Sequence, residues 1–384
     1  MKSGASAARA ADPPEPVRTA AARLKRWLFE QALPIWWQRG ADLAGGGFFD
    51  RLDVAARPTD APKRLRVQAR QSYVYALAKD LGWDGPAETA ARHGLDFMLA
   101  QRAEDRLYRL GAAQPVAAFD GMGLLYDQAF VLLALAAGCG ALDDRRCEPA
   151  GADLRDRLRA FGHPKGGYAE QPGLAAPLFA NPNMHLFESA QAWLAISPDP
   201  AWAAMAGSLC RLALERLIDR SGVLLETYGP EWSAPEDPTG RTVWPGHLYE
   251  WAFLLMNFAS AGEDGRAAAL RLIDVAERTG VDAAGFAIFA LDGSLSTIDR
   301  GARLWSQTER LRACARAASL GYPALWEGAA QAASALEAFL DVPQPGLWRD
   351  WRDETGVFRE EPAPASSLYH IAGAIAELDR ICRS

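Results

Sequence analysis

The sequence lacks the features that mark several large classes of protein. No Walker A run is present and no G-x-G-x-x-G follows a strand pattern, which argues against a nucleotide site. A G-x-S-x-G motif is missing as well, so a serine hydrolase triad is not indicated. The five cysteines are odd in number, scattered and without C-x-x-C spacing, as expected of reduced thiols in a cytoplasmic protein rather than of a disulfide framework.

Charge and hydropathy argue against further partners. The net charge is −7 and no long basic run occurs, which disfavours binding to nucleic acid or to an anionic membrane surface. The N-terminus lacks the apolar core of a signal peptide, and no stretch approaches the length of a membrane span without interruption by charge. We therefore expect a cytoplasmic protein without nucleic acid or membrane as a partner, and its oligomeric state, a homodimer included, stays open.

What the chain does contain is a long internal repeat. Short turns of glycine or aromatic residues recur at steps of about 55 to 63 residues. They lie at Gly47, 107–109, 166–168, 222–224, 285–286 and 346–348. An apolar helix follows each turn, and strand signals are confined to short runs such as 223–228 and 285–291.

The two helices of each unit differ in pattern, and this predicts the fold. The second helix, as in residues 130–137 and 251–258, is apolar almost all round, which indicates burial on every side. The first helix, as in 150–158 and 267–278, is amphipathic. Six such hairpins predict an all-α fold, an (α/α)6 barrel with short β-turn segments at one face. We expect a single domain over residues 18–384, with helix from residue 17 and a disordered N-terminal tail at residues 1–17.

Polar residues gather where the second helices begin. Such groups are costly to bury without partners, so their recurrence at one level of six repeats predicts a single pocket lined from all sides. They are Arg70 and Gln71, Tyr126 to Gln128, Asn181, His185 and Glu188, His247 and Glu250, Gln307 and Glu309, and Tyr369 and His370.

Two of these helix starts carry an H-x-x-E pattern, His185 with Glu188 and His247 with Glu250. Pairs at i and i+3 ligate metals in some helical bundles. The alternative is that each glutamate orients its own histidine and fixes the tautomer. We favour orientation and expect neither a metal nor a cofactor, because further acidic ligands that converge on these pairs are not evident.

The helix starts also resemble a known family. Asn181-Pro-Asn-Met-His-Leu-Phe-Glu188 resembles the N-P-x-M-H-L-x-E signature of the N-acylglucosamine 2-epimerase family. The other hallmarks follow in the right order. They are Ala69-Arg-Gln71, Trp244-Pro-Gly-His-x-x-Glu-Trp251, Leu304-Trp-x-Gln-x-Glu309 and Leu368-Tyr-His370.

The resemblance implies an (α/α)6 barrel that epimerises or isomerises sugars without a cofactor. It implies that His247 and His370 form the acid/base pair and that His185 assists ring opening or binds the sugar. The residues implied to hold hydroxyls or to tune the histidines are Arg70, Tyr126, Asn181, Glu250, Trp305, Gln307 and Glu309.

Our hypothesis is a sugar isomerase that interconverts a mannose-like aldose and its ketose through an enediol. A sugar 2-epimerase that uses the same histidines is the alternative. A glycoside hydrolase with two carboxylates from Glu250, Glu309 and Asp127, or a sugar-binding protein without activity, would be different classes. Whether the sugar is free or phosphorylated stays open, with Arg66, Arg70 and Arg241 as the arginines that would meet a phosphate.

Overall fold

The computed structural model describes residues 12–109 and 123–383, and most of these residues are helical. In chain order the helices are α1 Glu15–Trp27, α2 Leu33–Gln38, α3 Leu65–Asp80, α4 Ala87–Leu99, α5 Leu125–Leu142, α6 Cys147–Leu158, α7 Ala180–Ile196, α8 Pro200–Leu212, α9 Pro245–Asn257, α10 Gly262–Thr279, α11 Leu304–Ser319, α12 Leu325–Leu340 and α13 Ser367–Arg383. A π-helical turn, Leu28–Ala32, joins α1 to α2, and a second one, Ala213–Leu217, extends α8.

The odd-numbered helices from α3 to α13 form an inner ring. Each packs against the next, and α13 packs against α3, which closes the ring. These helices are buried almost all round, as α5 illustrates, whereas α4, α6, α8, α10 and α12 bury one face and expose the other. The architecture is therefore the (α/α)6 barrel that the alternation of apolar and amphipathic helices predicts.

In the sequence repeat each outer helix comes before its inner helix, but in the structure the helices that pack together are an inner helix and the outer helix after it. Each inner helix packs chiefly against the outer helix that follows it, as α3 does against α4 and α11 against α12. The last inner helix, α13, has no helix after it, and α1 from the N-terminus packs there instead. The two ends of the chain thus complete the sixth pair of the barrel.

The N-terminal boundary differs slightly from the expectation. Helix α1 begins at Glu15, inside the tail predicted for residues 1–17. Pro14 precedes it with extended backbone, in the position where a missing N–H costs nothing. The predicted disorder of residues 1–11 lies outside the described residues, so it remains a prediction.

Helix α5 is the most apolar of the long helices. Within the described residues it alone is long and apolar enough to cross a membrane, with Asp127 as its only charged residue. The expectation that no stretch reaches this length without interruption by charge is consistent with this helix, because Asp127 lies within it and its uncharged part, residues 128–142, is shorter than a membrane span. In addition, 72% of this helix is buried inside the barrel, as is typical of a core helix.

Short antiparallel strands link neighbouring hairpins at the end of the barrel where the inner helices begin. Their bounds are β1 Arg51–Leu52, β2 Leu178–Phe179, β3 Thr227–Tyr228, β4 Thr242–Val243, β5 Ala290–Asp292, β6 Thr297–Asp299, β7 Ala302–Arg303, β8 Trp351–Arg352 and β9 Ala363–Pro364. The pairs are β1 with β9, β2 with β3 and β7 with β8, and β4, β5 and β6 form a three-stranded sheet. In the β7–β8 pair, for example, Arg303 faces Trp351. The strand signals at 223–228 and 285–291 correspond to β3 and β5 at their C-terminal ends.

Four acidic residues of the hairpins tie the inner ring together through their backbone. The carbonyl of each accepts a hydrogen bond, 2.9–3.2 Å long, from the amide at the start of an inner helix or just before it. The pairs are Asp50 with Ala365, Glu170 with Leu125, Glu226 with Ala180 and Asp350 with Leu304. The first N–H groups of a helix have no partner within the helix. These bonds therefore satisfy otherwise unpaired donors and fix the height of these four helices in the ring.

Side-chain amides hold four turns against the helices that follow them. Gln68 accepts a hydrogen bond from the amide of Phe48 at 2.6 Å and donates one to its carbonyl at 2.9 Å. Gln128, Asn183 and Gln307 make the same pair of bonds to Tyr108, Tyr168 and Ala287, respectively. Gly47 in the first turn has φ near +69°, and a Cβ there would lie 2.4 Å from the Gln68 side chain, so only glycine fits.

Candidate active site

A cavity of about 180 Å³ opens at the end of the barrel where the inner helices begin. It brings together eight of the ten predicted site residues, namely Arg70, Tyr126, Asn181, His185, His247, Glu250, Trp305 and His370. Arg66, considered from the sequence as a contact for a phosphate, lines the cavity too, and the sequence prediction missed the other lining residues, which are Arg64, Trp244, Arg303, Ser366 and Ser367.

The two remaining predicted residues do not line the cavity. Gln307 is fully buried, and its amide is engaged by the backbone of Ala287 and Arg303, so its expected role as a sugar ligand is replaced by a structural one. Glu309 is also fully buried and lies behind His370, where it accepts a hydrogen bond from the imidazole. It can tune the histidine but does not reach the cavity wall.

Each of the three cavity histidines has a carboxylate at Nδ1. His247 Nδ1 lies 2.7 Å from Glu226, His370 Nδ1 lies 2.8 Å from Glu309, and His185 Nδ1 lies 3.4 Å from Glu188. A carboxylate at this nitrogen fixes the tautomer with hydrogen on Nδ1 and leaves Nε2 as the basic atom. The prediction that each H-x-x-E glutamate orients its own histidine therefore holds for His185.

The same prediction is wrong for His247. Its partner is Glu226 from the preceding hairpin, and Glu250 lies instead 3.8 Å from Nδ1 of His185 on the neighbouring helix. At i+3 Glu250 is on the same face of α9 as His247, but α9 faces α7 there, so the carboxylate points across the interface. Within the described residues, neither oxygen of Glu250 has a hydrogen-bond partner.

The start of α9 positions His247 through close packing. A Cβ on Gly246 would lie 2.4 Å from the ring of Trp305, so glycine is required for α9 and α11 to approach this closely. The ring centroid of Trp305 lies 4.9 Å from that of His247 and 5.9 Å from that of His370. One indole therefore packs beside both histidines and holds them at the same cavity wall.

Arg70 forms the opposite wall. It donates hydrogen bonds to the hydroxyl of Tyr126 at 2.9 Å and to the carbonyl of Ser366 at 3.3 Å. Its guanidinium lies 4.0 Å from the ring centroid of Phe130, a cation–π contact that keeps it extended toward the cavity. Its Nε and the Oδ1 of Asn181 are buried without a partner in the described residues, so both are available to a ligand.

A buried ionic network lies beneath the cavity. Arg312 donates to Glu309 at 2.9 Å and lies 3.9 Å from Glu188, which also accepts a hydrogen bond from the hydroxyl of Tyr369. Glu309 and Glu188 in turn contact His370 and His185. One arginine thus supports the carboxylate partners of two histidines.

Burial lowers the pKa of two histidines of the site and raises the pKa of Glu250. Burial lowers the pKa of His185 to about 4, and burial with the charges of Arg70 and Arg312 holds the pKa of His370 well below its usual value. Burial next to the carboxylates of Glu309 and Glu188 raises the pKa of Glu250 well above its usual value. These shifts favour the neutral imidazole of both histidines and the protonated carboxylic acid of Glu250.

Two sets of these side chains are close enough to hold a cation. The ligand atoms of His185, Glu188 and Glu250, and those of Glu250, Glu309 and His370, lie within 4.8 Å of one another. In both sets a carboxylate already pairs with an imidazole, and Glu309 also pairs with the permanent charge of Arg312. Metal binding would have to displace these bonds, which favours the orienting role of the carboxylates.

The partner of His247 could have been found from the repeat. Glu226 lies four residues after Gly222, as Asp50 lies four residues after Gly46 and Glu170 four after Gly166. When the repeats are aligned, these acidic residues occupy one position, and their backbone carbonyls accept the hydrogen bonds that link the inner helices. A side chain at that position points toward the start of an inner helix, which for Glu226 is the helix of His247.

Loss of the arginine beneath the cavity should destabilise the fold. Arg312→Met leaves two carboxylates buried without a cation, which we expect to lower the free energy of unfolding by about 3–5 kcal/mol. Urea denaturation measures this change. The control Arg278→Met removes an exposed arginine paired within α10 and should change stability by less than about 0.5 kcal/mol. Equal stability of the two variants would contradict the ionised state of the network.

Comparison with known proteins places this site in a family. The sequence model of the N-acylglucosamine 2-epimerase (GlcNAc 2-epimerase) family matches residues 47–374. A mannose-6-phosphate isomerase of Rhizobium meliloti (strain 1021) is 41% identical over 379 residues, which cover 94% of this chain and 96% of that protein.

Solved structures share the barrel. A D-mannose isomerase superposes with a TM-score of 0.83 at 20% identity over 96% of this chain and 100% of that one. The cellobiose 2-epimerase of Bacillus thermoamylovorans B4167 superposes with a TM-score of 0.83 at 17% identity over 94% and 99%. At these identities the structures show the fold, while the family match and the 41% identical relative extend the likeness to the sequence. The chain belongs to the N-acylglucosamine 2-epimerase family and is an enzyme, an isomerase or epimerase, that acts on sugars.

Proposed function

We propose that this protein is an aldose–ketose isomerase that interconverts a mannose-like sugar and its fructose-like ketose. The observation that carries the proposal is the pair of histidines, His247 and His370, at one cavity wall beside Trp305. Each has its Nδ1 held by a carboxylate, so each presents a basic Nε2 to a ligand. His185 completes the set from the neighbouring helix.

Proton transfer at carbon is the reaction that this arrangement supports. A proton α to the carbonyl of an open-chain sugar is weakly acidic, and a neutral imidazole is suited to remove it. His370, whose pKa is lowered, is neutral at pH 7 and takes the proton from C2. Return of that proton to C1 of the enediol, with movement of the hydroxyl proton from O2 to O1, produces the ketose. His185 assists opening of the sugar ring.

The oxygens of the enediol need donors as negative charge develops on them. Arg70 supplies a permanent positive charge at the cavity wall, and loss of one such donor typically costs about 3–4 kcal/mol of transition-state stabilisation. Burial raises the pKa of Glu250 and so favours its protonated form, which can donate its proton to an oxygen. Tyr126 and Asn181 are positioned to bind the remaining hydroxyls.

The relatives support an isomerase before an epimerase. The relative that is 41% identical is named a mannose-6-phosphate isomerase, and one of the similar structures is a D-mannose isomerase. A 2-epimerase is the second candidate, since a cavity of about 950 Å³ adjoins the first and would accommodate a larger sugar. A glycoside hydrolase fits less well, because Glu250 is the one carboxylate of the described residues that lines the catalytic cavity, and hydrolysis needs a pair.

Incubation with mannose and with mannose 6-phosphate in deuterated water tests the reaction. We expect ketose as the product, with deuterium at C1 where the transferred proton has exchanged with solvent, and deuterium at C2 only in aldose re-formed by the reverse reaction. NMR resolves the products and locates the deuterium. Formation of glucose or its 6-phosphate as the first product would assign 2-epimerisation instead, and His247→Ala and His370→Ala should abolish either reaction.

The partner of His247 can be tested by comparing equivalent acidic residues. Glu226→Gln removes the negative charge at Nδ1 and should lower kcat by about 10²–10⁴, the range seen when an orienting carboxylate is replaced by an amide. Glu170→Gln, the control, changes the equivalent residue of another hairpin, which contacts a backbone amide rather than a histidine. We expect near-normal kcat for this control. Full activity of Glu226→Gln, measured with matched thermal stability, would remove Glu226 from the site.

The pH dependence of kcat/KM tests which histidine is the base. A lowered pKa means that His370 loses its proton at a lower pH than an ordinary imidazole, whose pKa is near 6.5, so activity should persist as the pH falls through 6.5. The acid limb of the profile should then lie below pH 6.5. An acid limb centred at or above pH 6.5 would assign the base to another histidine.

A further inference from the structure

The cavity changes character from its floor to its mouth. The side chains of His185, His247 and His370 are only 3–8% exposed, whereas Arg64 and Arg303 are 25% and 33% exposed. The histidines therefore lie deep and these arginines lie at the opening. A sugar whose C1 and C2 meet the histidines would direct its other end toward the arginines.

Positive charge predominates among the residues that line the cavity. They include the arginines 64, 66, 70 and 303 but only one carboxylate among the described lining residues, Glu250, whose pKa is raised by burial. Aspartates stand behind three of these arginines, but those behind Arg64 and Arg303 leave donors unused. Arg64 contacts Asp50 through Nε and Nη2, and Arg303 contacts Asp350 through Nη2. Among the described residues, Nη1 of both arginines and the buried Nε of Arg303 have no acceptor.

The start of α13 lies between the two arginines. Ser366 and Ser367 line the cavity, and the Ser367 hydroxyl donates to Asp350 at 2.6 Å, the same carboxylate that pairs with Arg303. On the other side, Asp50, the partner of Arg64, accepts a hydrogen bond from the amide of Ala365. The first turn of a long helix, with its free N–H groups and positive dipole end, thus opens into the same space as two arginines.

We propose that the mouth of the cavity is a phosphate subsite, formed by Arg64, Arg303 and the start of α13, which binds the phosphomonoester of a sugar phosphate. The inference rests on the proposed function, since it takes C1 and C2 to lie at the histidines. The phosphate is then at the opposite end of the sugar, on C6 of a hexose. Guanidinium forks and helix N-terminal amides together match the several acceptor oxygens of a phosphate dianion.

Arg66 and Arg70 line the same cavity. Arg66 pairs with Asp127 at 2.7 Å and adds to the positive potential of the mouth. Arg70 lies deeper, beside the predicted oxyanion. Arg241, the third arginine considered from the sequence, does not line the cavity and donates to the carbonyl of Pro235, so it has no part in the subsite.

Kinetics with matched substrates test the proposal. For the unmodified enzyme we expect kcat/KM to be at least ~10-fold higher with mannose 6-phosphate than with mannose, in keeping with charge-assisted hydrogen bonds. Arg303→Gln and Arg64→Gln should each lower kcat/KM for mannose 6-phosphate about 10- to 100-fold, mainly through KM, and change the value for mannose less than about threefold. The control Arg278→Gln, at an exposed site on α10, should affect neither substrate.

Binding of inorganic phosphate gives a readout that does not depend on turnover. Calorimetry should show one site on the unmodified protein that is lost in Arg303→Gln and kept in Arg278→Gln. A preference for free mannose, or phosphate binding that Arg303→Gln leaves unchanged, would overturn the subsite and leave the isomerase proposal intact. If neither sugar yields ketose while phosphate still binds at Arg303, the proposed function fails and the anion site stands.

Discussion

This structure depends on hydrogen bonds that amides at the starts of the inner helices donate to carbonyls of the hairpins. The carbonyls of Asp50, Glu170, Glu226 and Asp350 accept from amides that a helix by itself leaves unsatisfied. Because each bond joins two neighbouring units, the inner helices begin at one height around the ring. The same four positions carry acidic side chains, and that of Glu226 holds His247. Glu226 therefore has two roles: its carbonyl links neighbouring units of the barrel, and its carboxylate orients His247.

A second consequence is the electrostatic character of the cavity. Six helix N-termini meet there, so partial positive charges and backbone amides face one space. Anionic groups are stabilised in such a space, which suits both an enediolate and a phosphate. Below it, the carboxylates of Glu188 and Glu309 are tolerated because Arg312 lies between them. Glu250 has no such partner, and burial therefore raises its pKa.

Much of the site could be predicted because it belongs to the repeat. A residue near the start of an inner helix recurs at the same level in each unit, so His185, His247 and His370 were expected to meet, and the cavity contains all three. Gln307 shows the limit of this reasoning. It stands at a helix start like the others, but its amide is directed back to the turn before it and serves the fold.

The sequence by itself determined the helical repeat, the closed barrel and the level at which polar residues gather, since these depend on periodicity within each unit. Tertiary structure decided which carboxylate meets which histidine. Glu226 lies 21 residues before His247 and reaches it through a hairpin, whereas Glu250, three residues after it, contacts His185 on another helix. Spacing along one helix predicts a shared face, but only the packing of neighbouring helices decides what that face meets.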